Sequence, residues 1–195
     1  LSLRRRQLRE AASRTRLDLR RAPEPARLLE LAEALIEQLL PLEQAAIDGQ
    51  LPTRIVHNDA KLDNLLFDAA GRAVCVVDLD TVMPGIAHYD IGDSLRTLVP
   101  DRVEDDPDAE GIALNLDRHG AYLEGYLEQA ELGPSERRML PYAAPYMACI
   151  MGMRFLADHL AGNIYYRTAR PGHNLDRARN QLILARKFLQ ADPLP

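Results

Sequence analysis

The 195-residue chain has no tryptophan, only three phenylalanines and two cysteines, and no apolar run near the ~20 residues that cross a bilayer as a helix. Two cysteines cannot build a disulfide framework. Cys75 falls in an expected buried strand and Cys149 in an expected helix, which fits a reducing cytoplasm better than an oxidising compartment. No charged-then-apolar secretory segment opens the chain. A net charge of −5, with no aromatic side chains interleaved among the arginines of residues 1–21, argues against nucleic acid as a partner. These absences leave a cytoplasmic protein with neither nucleic acid nor a membrane as its partner.

Hydrophobic content of 47% and charged content of 27% suit one globular domain spanning 1–195. Residues 1–21 are arginine-rich with scattered leucines, the pattern of a partly solvated helix, and Pro23 and Pro25 then break the chain. Over 26–47, Leu28, Leu31, Leu35, Leu39 and Leu42 recur at three- and four-residue steps, which predicts an amphipathic helix that Pro41 should bend or split. Asp48-Gly49 ends it, and a short strand follows at 54–56.

The chemistry concentrates over 56–80. Two apolar runs, 65–67 and 74–77, flank a Gly-containing turn, which predicts a β-hairpin with largely buried strands. His57, Asp59 and Asn64 precede the first strand with the spacing H-x-D-x-x-x-x-N, and Asp78 closes the second. Phosphoryl transfer needs this kind of set: an Asp accepts the proton of an attacking hydroxyl, while an Asn five residues on and a separate Asp hold magnesium against the phosphates. Asp80 shares a strand face with Asp78 if the alternation continues, making it a third metal candidate, or else it caps the loop. The parts that grip ATP, a Gly-rich loop and a strand bearing a Lys, appear nowhere before His57, so the chain reads as one lobe of a larger enzyme.

Beyond the hairpin, Pro84-Gly85 marks a turn and a helix starts near Asp90, with Asp90 and Asp93 as caps or Asp90 as an anchor for the loop around His57. Residues 100–110 are acidic and unpatterned, a solvated loop rather than a calcium site, since the EF-hand spacing is missing. Helices are expected from 112 to about 133, from about 136 to 161 with disturbances at Pro141 and Pro145, and from Asn174 or Asp176 to about 189. Met147, Met151 and Met153 read as core filler. Arg154 and Asp158, four residues apart on a helix, with Tyr165 and His173 in the polar stretch after it, are either a surface ion pair and loop or the border of a pocket for a polyhydroxyl substrate.

These motifs, His57-Asn58-Asp59-x-Lys61-Leu62-x-Asn64, Val77-Asp78-Leu79-Asp80-Thr81-Val82-Met83-Pro84-Gly85, Asp90-x-Gly92-Asp93 and the segment from Arg154 to Tyr166, resemble the aminoglycoside phosphotransferase and choline kinase superfamily, and within it the N-acetylhexosamine 1-kinase group, from about 53 to 187. The resemblance implies Asp59 as base, Lys61 offsetting charge on the moving phosphoryl group, and His57 bracing the loop rather than transferring a proton. It also implies Asn64 and Asp78 as magnesium and nucleotide ligands, and Arg154 and Tyr165 as sugar contacts. The expected fold is α+β, mainly α: the C-terminal helical lobe of a protein-kinase-like fold with a small β-hairpin at the cleft. The implied activity is ATP- and magnesium-dependent phosphorylation of a hydroxyl on a small molecule, foremost an N-acetylhexosamine. Choline, homoserine or aminoglycoside kinases are the enzymatic rivals, although a chain without tryptophan is poorly supplied for the aromatic cage of a quaternary ammonium. A non-catalytic sugar- or protein-binding lobe is the rival from another class, and the surface left by a missing lobe invites a homodimer.

Overall fold

A computed structural model describes residues 1–191. Its helices are α1 (Ser2–Arg14), α2 (Pro23–Ile47), α3 (Ala87–Leu98), α4 (Leu116–Gln129), α5 (Pro134–Met139), α6 (Ala143–Ala161) and α7 (His173–Gln190). Two small antiparallel sheets complete it: β1 (Arg54–Val56) pairs with β4 (Met83–Gly85), and β2 (Leu65–Phe67) with β3 (Ala73–Val76). This is the expected mainly helical α+β architecture of a kinase-like lobe.

The core forms around α6, the most apolar helix, which packs against α7, α3, α1 and α2. Tyr146, Met153, Phe155 and Leu156 bury nearly completely along it, and Met147 and Met153 fill core space as expected. Small residues set the spacing. At Gly92 in α3, an added Cβ would stand 2.2 Å from the Ala143 carbonyl oxygen, so α3 crosses α6 at a distance only glycine permits.

Helix α2 runs unbroken through Pro41. Pro41 is exposed, whereas Leu35, Ile36, Leu39 and Leu42 on the other face are buried, so tertiary packing holds the helix across the lost N–H bond. Pro23 and Pro25 lie in its first turn rather than between elements, where a missing N–H matters least. Part of the basic stretch is neutralised internally, because Arg5 and Arg9 of α1 reach Glu33 of α2 at 2.7 and 2.8 Å.

Four further expectations need correction. The hairpin forms around Gly71, but its strands are exposed: Val74 is 62% and Phe67 49% accessible, and Cys75 is exposed too, because a lone two-stranded ribbon has two faces and the helical body covers little of either. Met83-Pro84-Gly85 is a strand rather than a turn; it pairs with only one neighbour, an edge position that tolerates proline. The helix expected from 136 to 161 is interrupted at Pro141 as expected, by a 3₁₀ turn, Leu140–Tyr142, but Pro145 lies in the first turn of α6 without disturbing it, and α5 begins after Gly133, with the Glu136 carboxylate accepting from the Gly133 N–H at 2.8 Å. The acidic stretch 100–110 is not a freely solvated loop. Glu104 pairs with Arg96 at 2.8 Å and with Arg177 at 3.0 Å, Glu110 pairs with Arg186 at 2.8 Å, and Asn180 donates to the Val103 carbonyl at 3.1 Å, so Arg96 of α3 and basic and amide groups of α7 hold it down.

Candidate active site

The loop between β1 and β2 is shaped by its own backbone. Asn58 adopts a left-handed conformation (φ 61°), and the N–H groups of His57 and Asn58 both donate to the carboxylate of Asp90, at 2.7 and 2.8 Å. Asp90 therefore anchors the loop rather than capping α3. The Thr81 hydroxyl donates to the His57 carbonyl at 2.7 Å, and His57 Nε2 lies 3.0 Å from the Val77 carbonyl. A carbonyl only accepts, so Nε2 carries the proton, and the ring braces the loop against the residue preceding Asp78.

Asp59 is half-buried at the end of this loop. Its Oδ2 accepts from Lys61 Nζ at 2.8 Å and from Asn64 Nδ2 at 2.9 Å, and Asn64 Nδ2 also donates to the Asp59 carbonyl at 2.8 Å. Its Oδ1 takes no protein hydrogen bond among the described residues. Burial pushes the Asp59 carboxyl up, but the hydrogen bonds from Lys61 and Asn64, helped by the Lys61 and Arg96 charges, outweigh it and hold the carboxyl below the ordinary aspartate value. Burial likewise disfavours the Lys61 ammonium, and the bond and charge of Asp59, with Asp78 and Asp93 farther off, raise it above the ordinary lysine value.

Asp78 follows β3 in a left-handed conformation (φ 63°) and is exposed, its carboxylate free of protein hydrogen bonds among the described residues. The chain then enters a 3₁₀ turn, Leu79–Thr81, so the strand alternation expected to place Asp80 on the face of Asp78 does not operate. Among the described residues no three His, Cys, Asp or Glu side chains converge as a metal site.

Asp59 and Lys61 open onto a cavity of about 910 Å³ whose walls come from α3, the acidic stretch, α6 and α7. Arg154 and Tyr165 line it with them, so four of the expected site residues share one space. His57, Asn64, Asp78 and Asp80 lie outside its lining. Asp158 and His173 do too: the Asp158 carboxylate accepts backbone N–H groups of the following loop, and His173 sits between the Ala169 N–H (3.0 Å) and the Asp105 carboxylate (3.1 Å).

Sequence reasoning missed much of the deeper wall. Asp93 and Arg96, 2% and 4% exposed, pair at 2.6 Å, and the chain of charges continues through Glu104 to Arg177. Burial raises the Asp93 carboxyl against the opposing pull of Arg96, and the Arg96 guanidinium stays charged, its burial overcome by Asp93 and Glu104. The three-residue spacing of Asp93 and Arg96 on a helix was the available signal. Above them Arg177 stacks on Phe155 at 4.4 Å and Arg154 on Tyr166 at 5.4 Å.

A sequence model described as the Phosphotransferase enzyme family matches residues 1–142. The chain belongs to that family. The match includes α1 and α2, farther toward the N-terminus than the resemblance over 53–187 suggested, and contains the loop with His57, Asp59 and Lys61 together with Asn64, Asp78 and the Asp93–Arg96 pair. It ends before α6, so the Arg154 and Tyr165 side of the cavity lies beyond it. No described helix of this phosphotransferase-family chain is long and apolar enough to cross a membrane.

Proposed function

We propose that this phosphotransferase moves the γ-phosphoryl group of ATP to a hydroxyl of a small molecule seated in the 910 Å³ cavity, with Asp59 as the base. One observation carries the reading. Asp59 has one carboxylate oxygen held by Lys61 and Asn64 and the other without a partner among the described residues, at the edge of a cavity large enough for a sugar-sized acceptor. The free carboxylate oxygen accepts the acceptor's hydroxyl proton as the acceptor oxygen bonds to the γ-phosphorus and the bond to the β,γ-bridging oxygen breaks to release ADP, and the held carboxylate oxygen fixes the group's orientation. Lys61 places a positive charge beside the transferring group.

The donor set suits magnesium. The Asn64 amide N–H is bonded to Asp59, which leaves its oxygen as the available end, and Asp78 offers an unpaired carboxylate; hard oxygen ligands few in number are what magnesium takes from protein when phosphates and water complete its shell. Bound there, magnesium would neutralise charge on the phosphate oxygens. Asp80 remains a candidate only as an outer partner on the same turn. The apolar side chains exposed on the hairpin and the adjoining strand, Leu66, Phe67, Val74, Val76 and Met83, support a covering segment there. We assign it to a nucleotide-gripping lobe, with a second copy of the chain as the competing occupant.

For the acceptor we propose an N-acetylhexosamine, contacted by Arg154 and Tyr165. The aromatic faces on this wall already carry guanidinium groups, Arg177 over Phe155 and Arg154 over Tyr166, so a quaternary ammonium would meet like charge instead of free π-faces. This favours a neutral acceptor with hydroxyl and carbonyl groups over choline; it weighs less against an aminoglycoside, because Asp59, Asp63, Asp93, Asp101, Glu104 and Asp105 line the same cavity. Phosphoryl transfer from ATP measured across N-acetylhexosamines, simple hexoses, choline, homoserine and aminoglycosides tests the assignment. Transfer to an N-acetylhexosamine with preference over choline and aminoglycosides is expected, and preferred transfer to a cationic acceptor would overturn it.

A further inference from the structure

Arg154, Tyr165 and Tyr166 reach the cavity from the end of α6 and the loop after it, and the first residues of that loop are exposed. Gly162 and Asn163 are both left-handed (φ 97° and 60°), and Ile164 is 82% and Tyr165 76% exposed. A loop of this kind ordinarily samples many conformations, since each unfixed residue retains backbone entropy.

One buried carboxylate counters this. Asp158, 7% exposed on the last turn of α6, accepts from three successive backbone groups: Ile164 N and Tyr165 N on Oδ1, at 2.9 and 2.8 Å, and Tyr166 N on Oδ2 at 3.0 Å. The Nδ2 of Asn174, fully buried in the first turn of α7, adds a fourth bond to Oδ2 at 2.9 Å and also donates to Asn163 Oδ1 at 3.0 Å. Asp158 thus joins three elements of the cavity wall at one point. Charge-assisted bonds from backbone N–H groups to a carboxylate are stronger than neutral ones, and a buried donor left without its acceptor is penalised heavily.

We propose that Asp158 is a positioning residue for acceptor binding: it does not touch the acceptor but sets Tyr165 and Tyr166 against the cavity and, through the Tyr166 ring, the stacked guanidinium of Arg154. The assignment rests on the reading of the cavity as the acceptor site. It also accounts for the separation between Asp158 and the cavity lining despite its place one turn after Arg154. An asparagine cannot substitute, because whichever way its amide is turned, an NH₂ group faces two of the N–H donors.

The test uses Asp158→Asn in two measurements, with N-acetylglucosamine as acceptor probe. In the first, amide hydrogen exchange is followed by mass spectrometry. Exchange in peptides covering 163–167 should accelerate by about tenfold or more, the scale of losing one to two charge-assisted bonds, while the α2 and α6 core exchanges as before. In the second, the KM for N-acetylglucosamine should rise by about tenfold or more, with the KM for ATP and kcat within about threefold of the unsubstituted enzyme. Where Asp158→Asn yields too little folded protein, Asn174→Ala removes one of the four bonds and should move both readouts the same way by less.

Unchanged exchange in 163–167 overturns the proposal, and so does faster exchange with an unaltered acceptor KM. Equal losses in kcat and in both KM values would mark a general structural role and also overturn it. The underlying reading fails separately. If Arg154→Ala also leaves the acceptor KM unchanged, or the unsubstituted enzyme does not turn over N-acetylglucosamine, the cavity assignment falls and the positioning role with it.

Discussion

At the residue scale, the carboxylates of the site differ in what surrounds them. Asp59 is held ionised by Lys61 and Asn64, its carboxyl kept below the ordinary aspartate value, as the base proposed for the transfer must be across neutral pH. Activity should therefore show no acid limb from this group between about pH 5 and 8. A measured kcat/KM profile that falls with an apparent pKa near 6 which moves in Asp59→Glu would contradict the assignment. Asp90 does structural work that a motif cannot display. Its carboxylate receives the His57 and Asn58 N–H groups, so Asp90→Ala leaves two half-buried donors unpaired and should destabilise the fold by about 2–3 kcal/mol in urea unfolding, with the loop loosened in proportion. The hydrogen-bonded cluster of Asp59, Lys61 and Asn64, which holds the proposed base, was legible because all three lie within six residues. Asp93 and Arg96 were not, because whether a carboxylate caps a helix or enters a buried pair depends on what packs above it.

At the scale of elements, local pattern was sufficient where one face decides the outcome. Helix α2, the boundary at Asp48-Gly49 and the hairpin turn at Gly71 follow from periodicity and turn chemistry. It failed where a distant element decides. Pro41 does not split α2 because buried leucines on the opposite face hold both halves, and the acidic stretch 100–110 is pinned because α7 presents arginines and an asparagine some 70 residues later. Strand burial failed for the same reason: an apolar run signals something to be covered without saying by what. The close crossing of α3 and α6 gives a sharp prediction. Gly92→Ala sets a methyl 2.2 Å from a backbone carbonyl oxygen, and neither helix can yield alone, so a loss of at least about 3 kcal/mol, or failure to fold, is expected from thermal or urea denaturation. A loss under about 1 kcal/mol would show that the helices are less tightly packed than described.

For the whole molecule, burial makes stability depend on pH in a defined direction. His88, His119 and His159 all have imidazole pKa values lowered by burial. The unfolded chain therefore binds more protons than the folded one below about pH 6.5, and stability should fall as pH drops from 6.5 toward the lowered folded values. His88 Nε2 lies 2.8 Å from the Glu136 carbonyl, so His88→Gln retains a donor while removing the titration. Its urea midpoint should change less between pH 7 and 5 than that of the unsubstituted chain, and equal slopes would remove His88 from the account.

The proposed function depends on Asp59 acting as a base at the cavity, and a single substitution reaches that proposal most directly. With the protein expressed from its complete reading frame, transfer of the γ-phosphoryl group from magnesium–ATP to the preferred acceptor should drop by at least about a hundredfold in Asp59→Asn, while the fold and the acceptor affinity persist. Transfer within about threefold of the unsubstituted enzyme would contradict it, placing the base elsewhere and leaving the 910 Å³ cavity without its catalytic edge.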